Sequence, residues 1–185
     1  MKLLITLLLT LVSTSVYAQQ ARSSVSYSMP AIEIGFKSNS ADVAGSQSTR
    51  QENSFQLGAS AVFDFASSFG LKSGLFYSER AFEAVFPPGI VTEGKITYFE
   101  IPLHLMFKFE EYAGVYAGPS LAVKLGDNLG GSSAESMVVP FTLGAQFKFL
   151  PNIGVNLFFE AIPGDIATGV SNARAVGANL LISLD

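Results

Sequence analysis

The sequence predicts an all-β protein: an eight-stranded antiparallel up-and-down transmembrane β-barrel, after an N-terminal signal peptide. Three observations lead there. From Ile96 to Leu125 the side chains alternate at period two, which means strand rather than helix. Phe99, Ile101, Leu103, Leu105, Phe107 and Phe109 form one face of this stretch, and Tyr98, Glu100, Pro102, His104, Met106 and Lys108 the other. Only 14% of the chain is charged and its mean hydropathy is +0.38. Yet past the N-terminal segment no apolar run reaches the ~20 residues of a membrane helix. Finally, the links between alternating segments are by turns tight and long, as in outer-membrane barrels with short periplasmic turns and long outer loops.

Residues 1–18 read as a signal peptide, with Lys2 as the positive region, Leu3–Val12 as the apolar core and Val16-Tyr17-Ala18 as the cleavage site. The apolar core is about half of what a spanning helix requires. The mature chain then begins at Gln19, with 19–29 a periplasmic segment and 30–185 the barrel domain. The chain has no Cys, which removes disulfides, thiolate nucleophiles, Cys-based metal sites and a lipid-anchored N-terminal Cys. The net charge is −4, and −5 once Lys2 leaves, which opposes a nucleic-acid footprint. Sixteen Phe and 17 Gly suit aromatic girdles and a tight bore.

The strands follow in order. Pro30–Lys37 turns Ile32, Ile34 and Phe36 to lipid. Ser54–Phe65 does so with Phe55, Leu57, Ala59, Ala61, Phe63 and Phe65, and Phe69–Arg80 with Phe69, Leu71, Ser73, Leu75 and Tyr77. The fourth and fifth strands are the two halves of Ile96–Leu125, broken at Glu110-Glu111. Met137–Phe149, Ile153–Ala161 and Ala173–Leu184 complete the eight. Ala66–Ser68, Glu110–Tyr112 and Leu150–Asn152 are tight turns. Ser38–Asn53, Ala81–Lys95, Gly126–Ser136 and Ile162–Asn172 are the long outer loops. Facing residues must share a side, so the tight turns predict a register. Met106 meets Tyr116, His104 meets Gly118, Phe76 meets Gly58, Phe158 meets Gly144, Gln146 meets Asn156 and Thr142 meets Glu160. Bulky inward residues meet glycines, which predicts a packed lumen rather than a pore.

Inward positions gather a polar network of Glu33, Lys37, Asp64, Lys72, Arg80, Glu100, His104, Lys108, Lys124, Lys148 and Glu160. Buried charges need partners, so ion pairing is the plain reading, and paired carboxylates for acid–base work the sharper one. His104 is the sole histidine. Glu100 and Lys108 lie four residues away on the same face, roughly 13 Å off, and no nucleophile–base pair is evident. No cofactor or metal site is expected, and the chain reads as a non-enzyme. The Ala81–Lys95 loop is unusually apolar through Phe82, Val85, Phe86, Pro87, Pro88 and Ile90, and is the candidate partner loop; alternatively it extends the hairpin, with Phe82 and Phe86 joining the aromatic belt.

Pro102 sits mid-strand without an N–H to give, which argues for a bulge or against a central strand. The phrase Tyr98-Phe99-Glu100-Ile101-Pro102-Leu103 resembles the Y-[LF]-E-[IV]-P-L signature of the PorT-like outer-membrane β-barrel family. Tyr116-Ala117-Gly118-Pro119-Ser120 is similar to that family's next strand, and Phe69–Tyr77 to its "tGl" strand. The resemblance implies an eight-stranded barrel in the outer membrane of a Gram-negative bacterium. It departs at the C-terminus, where such barrels usually carry an aromatic residue and this chain has Leu184-Asp185. The expected partners are outer-membrane lipid and an extracellular or envelope protein met through the long loops. The expected role is structural or interactive. Against it stand an outer-membrane enzyme acting on lipid or peptide, a narrow pore, and a soluble calyx of lipocalin type with its apolar face inside.

Overall fold

The structure, a computed structural model, describes residues 26–110, 112–129 and 133–184. The proposed signal peptide, Gln19 and most of the 19–29 segment lie outside the described residues. Among the described residues ten strands form one sheet: β1 (Ser26–Val43), β2 (Ser48–Arg50), β3 (Glu52–Asp64), β4 (Phe69–Phe86), β5 (Ile90–Glu110), β6 (Ala113–Asp127), β7 (Met137–Val138), β8 (Phe141–Leu150), β9 (Ile153–Ala167) and β10 (Val170–Ser183). Eight of them run β4-β3-β1-β10-β9-β8-β6-β5, and β5 pairs back onto β4, closing an antiparallel ring. β2 adds to the upper part of β4, and β7 to β6.

The predicted register holds. Met106 faces Tyr116, Phe76 faces Gly58, and Gly144, Gln146 and Thr142 face Phe158, Asn156 and Glu160. The tight turns absorb small irregularities, with register shifts at Lys108/Glu110 and Lys148/Leu150. Pro102 produces no bulge: it pairs with Ser120 of β6. Its missing donor falls on the β4 side, where the ladder skips from Ser73↔Leu103 to Phe76↔Glu100.

The exterior is apolar, with Phe36, Phe65, Leu75, Leu103, Phe109, Leu143, Phe149 and Val176 among its exposed side chains. The inward charges Glu33, Lys37, Lys72, Arg80, Glu100 and Glu160 are buried. A soluble calyx has the reverse arrangement, so the lipid-facing reading stands. Along β5 the belt runs from Phe99 to Phe109. Ten steps at ~3.3 Å, tilted by ~40°, give about 25 Å of height, the thickness of an outer-membrane barrel's apolar band.

Above the belt the polarity of the alternation reverses. On β4 the outward series Phe69, Leu71, Leu75, Tyr77 gives way to Glu79 and Glu83, while the inward series Lys72, Ser78, Arg80 gives way to Phe82 and Ala84. On β5, outward Phe99 is followed upward by Thr97 and Lys95, and inward Glu100 by Tyr98 and Ile96. The strands have left lipid for water, and an apolar cluster of Phe82, Ile96, Tyr98, Ile162, Ile166 and Val170 fills their interior.

This reversal corrects two expected loops, and at Ala81–Lys95 it decides for the extended hairpin over a free loop. Ala81–Lys95 is a β-hairpin whose turn spans only 87–89. Phe82 is buried in the interior cluster rather than in an aromatic belt, while Ile90 and Val91 are exposed. Ile162–Asn172 is likewise strand apart from residues 168–169, with Gly169 supplying the positive φ the turn needs. Most of Ser38–Asn53 is strand in β1 and β2. Only the Gly126–Ser136 region is largely irregular among its described residues. The predicted strand Met137–Phe149 is interrupted at 139–140, where Pro140 cannot donate.

The reversal yields a test. Leu103→Arg, at mid-belt, lowers unfolding free energy in lipid vesicles by ~2–4 kcal/mol, whereas Thr97→Arg, one turn of the pattern above the belt, costs under ~1 kcal/mol. Equal costs in urea titrations would show that the boundary is misplaced.

Candidate functional site

Glycines make room in the bore. A Cβ on Gly58 would lie 2.3 Å from the Phe76 ring, one on Gly144 2.3 Å from Tyr116, and one on Gly177 2.3 Å from Phe158. Phe158 faces Gly144 on one side and Gly177 on the other, and it leans over Gly177. Tyr116 and Phe158, with Met29, Val62 and Met106, form a lower apolar layer.

Between the two apolar layers lies an ionic core in two charge-balanced groups. In the lower group Glu33 accepts from Lys72 at 2.8 Å, from Ser60 at 2.5 Å, from Asn156 at 2.6 Å and from Asn179 at 3.0 Å. Lys72 also donates to Gln146 at 2.8 Å and lies over the Tyr116 ring. Tyr116 donates in turn to Asn156 at 2.7 Å. In the upper group Arg80 donates to Glu160 at 2.8 Å and to Glu100 at 3.2 Å, with its guanidinium over Tyr98. Lys37 donates to Ser78 at 2.7 Å and to Glu160 at 3.5 Å. Two cations thus meet two carboxylates above, and one meets one below, as buried charges require.

Of the residues expected in the lumen network, the structure brings together Glu33, Lys37, Lys72, Arg80, Glu100, His104 and Glu160. The others lie apart. Asp64 accepts from Lys108 at 2.5 Å near the lower rim. Lys148 donates to Ser183 at 2.8 Å at the same end. Lys124 sits at the upper end, a quarter exposed, and donates to Asp127 at 2.9 Å and to the Ala134 carbonyl. The hydrogen bond from Lys124 holds the Asp127 carboxyl below its usual range.

Sequence reasoning missed one pair. His104 Nε2 lies 3.1 Å from Ser120 Oγ, and its ring stacks on Tyr116 at 5.1 Å. The signal was available: Pro102 faces Ser120 in the register that the tight turn sets, and His104 and Ser120 both point inward. The pair resembles a nucleophile with its base, but among the described residues Nδ1 has no hydrogen-bond partner to orient it. Both residues are buried. The void that His104 lines is about 30 Å³, the size of one or two water molecules. Among the described residues no group of three or more His, Cys, Asp or Glu gathers to hold a metal.

No protein-family model matches the chain, and no curated protein matches it in sequence. Solved structures do resemble it. Neisserial surface protein A shares 12% identity, covering 86% of this chain and 99% of its own, at a TM-score of 0.54. Ail, the attachment invasion locus protein of Yersinia pestis, shares 16% identity over 84% of this chain and 99% of its own, at 0.49. The outer membrane protein OprG of Pseudomonas aeruginosa shares 15% over 84% and 94%, at 0.45. The likeness to the Neisserial protein shows the fold, that of the small outer-membrane β-barrels. Together with the inverted exterior, it makes this chain an integral outer-membrane protein.

The ionic core makes a stability prediction. Arg80→Ala leaves Glu100 and Glu160 facing a single cation and costs about 3–5 kcal/mol, while adding Glu160→Gln recovers part of that loss. Denaturant titrations of the single and double variants read both. A double variant no more stable than Arg80→Ala would mean the pair is not coupled.

Proposed function

We propose that this protein is a closed, non-catalytic barrel of the PorT-like kind, exported by a cleaved signal peptide. It holds a rigid β-arm out of the membrane for contact with an extracellular or envelope partner. The observation that carries this reading is the contrast between the bore and the arm. The bore is filled by an apolar layer, a charge-balanced core and a second apolar layer, and its central void is about 30 Å³. The arm, by contrast, continues β4 and β5 past the belt as ordered strand. β5 runs 21 residues, twice the ~9–11 needed to cross a bilayer. Sequence spent in this way beyond the membrane serves neither anchoring nor passage.

A catalytic reading has the His104–Ser120 pair in its favour. Against it, neither side chain is reachable by a substrate the size of a lipid or peptide. A pore reading would require the Arg80–Glu160 and Lys72–Glu33 pairs to part together, leaving charges uncompensated.

Two measurements test the proposal. In planar bilayers the purified protein gives no discrete conductance steps; steps from the folded protein would overturn the closed reading. The chain has no Cys, so Pro88→Cys introduces a single thiol at the arm's turn. A membrane-impermeant maleimide labels it on intact cells. Labelling only after lysis would overturn the outward orientation.

A further inference from the structure

Among the described residues the arm has one open edge. β5 pairs with β4 from Ile90 onward, but its other neighbour, β6, reaches no higher than Ile96↔Asp127. Lys95 reveals which way the backbone points. Its carbonyl accepts from Asn128 N at 3.0 Å, and its N–H donates to Asn128 Oδ1 at 2.6 Å. Both groups therefore face away from β4. In an antiparallel pair, alternate residues direct both N–H and C=O to the same side. Glu93 and Val91 thus aim the same four groups at the open side, and among the described residues none of the four has a partner. The opposite edge of the arm is covered, because β2 pairs with Glu83, Ala84 and Val85. Natural sheets usually blunt a free edge with Lys, Pro or a bulge. Ile90 to Glu93 is instead exposed and without Lys or Pro, and Val91 is 50% exposed.

The charges at this edge are also unfinished. Glu93 stands directly opposite Glu83. Arg50 neutralises Glu83 at 2.9 Å, but among the described residues no cation pairs with Glu93. Like charges facing across a ladder are unfavourable, and a cation added beside Glu93 would relieve this.

We propose that residues 90–94 of β5 form a docking edge for an extended segment of another protein, which adds to the arm as an antiparallel strand. Its Lys or Arg sits beside Glu93, and an apolar residue two positions away sits beside Val91. Main-chain hydrogen bonds supply affinity, and these two side chains supply selectivity. A second copy does not fit. Two barrels in one membrane raise their arms in the same direction, so their edges meet parallel and with opposite faces forward. The inference rests on the reading that the arm stands outside the cell.

The experiment selects displayed nine-residue peptides on the full-length protein in lipid nanodiscs, with empty nanodiscs as the control. Enriched peptides carry Lys or Arg two residues from an apolar residue. A synthetic winner loses about tenfold in affinity when N-methylated on the amides that face the edge. It loses roughly fivefold against Glu93→Lys, a change that leaves the backbone untouched. No enrichment over empty nanodiscs would overturn the proposal, as would winners that tolerate N-methylation. Maleimide labelling of Pro88→Cys on intact cells that produce the protein separates the failures. With labelling intact, the docking edge alone fails; without it, the outward presentation fails too.

Discussion

Backbone polar groups have no water to turn to inside hydrocarbon, and each one left unpaired there costs several kcal/mol. The pairing of β4 with β5, which closes the ring, is therefore the constraint on which everything else in the molecule depends. Closure fixes eight strands and a bore too narrow for anything but side chains. Within that bore every bulky group needs a neighbour that yields. Gly58, Gly144 and Gly177 yield to Phe76, Tyr116 and Phe158, and a methyl group at any of them would collide with a ring. The same constraint explains why Pro102 is tolerated. It gives up one rung of the β4 ladder inside a ring that is closed on both sides.

Closure applies only where lipid surrounds the barrel. Higher up, water satisfies open edges, the strands need not pair all round, and the medium outside changes sign. Side chains follow it: Tyr77 and Phe99 lie at the top level of the apolar belt, and Glu79, Lys95 and Thr97 come next. Glu79 and Lys95 join across the β4–β5 pair at 3.1 Å on the exterior, while Phe82 and Ile96 pack inside. One strand thus obeys two opposite burial rules along its length. The point of exchange marks the membrane surface more sharply than any single residue type.

That exchange also decides what the sequence could reveal. Period-two alternation placed the strand cores, and the three tight turns fixed their pairing, because a register is arithmetic once one facing pair is known. The ion pairs within the bore were less legible. Glu33 with Lys72, and Arg80 with Glu160, come from strands far apart in the chain, and which inward charge meets which depends on strand stagger and side-chain reach. The facing of the upper hairpins was missed for a different reason. Phe82, Ala84 and Phe86 alternate as regularly as Phe69, Leu71 and Leu75, but on the other parity. A reader who expects apolar residues to face lipid takes the phase change for the end of a strand. Lys124 was misplaced by the converse error: its inward parity was read as lumen, although it lies above the ionic core.

The two rules together divide the molecule's possible tasks. Below the exchange, the charges cancel within short hydrogen-bond distances and the apolar layers seal both sides of them, so movement of one group strands another. Such a bore resists change, and its polar residues are spent on each other. Above the exchange, the strands still carry ordered backbone, but their unmet groups face water, where forming a new pair costs little desolvation. Glu93 and Val91 belong to that upper part. The physics that forbids an open edge in the membrane permits one a few residues higher, and there the barrel has groups left with which to bind something else.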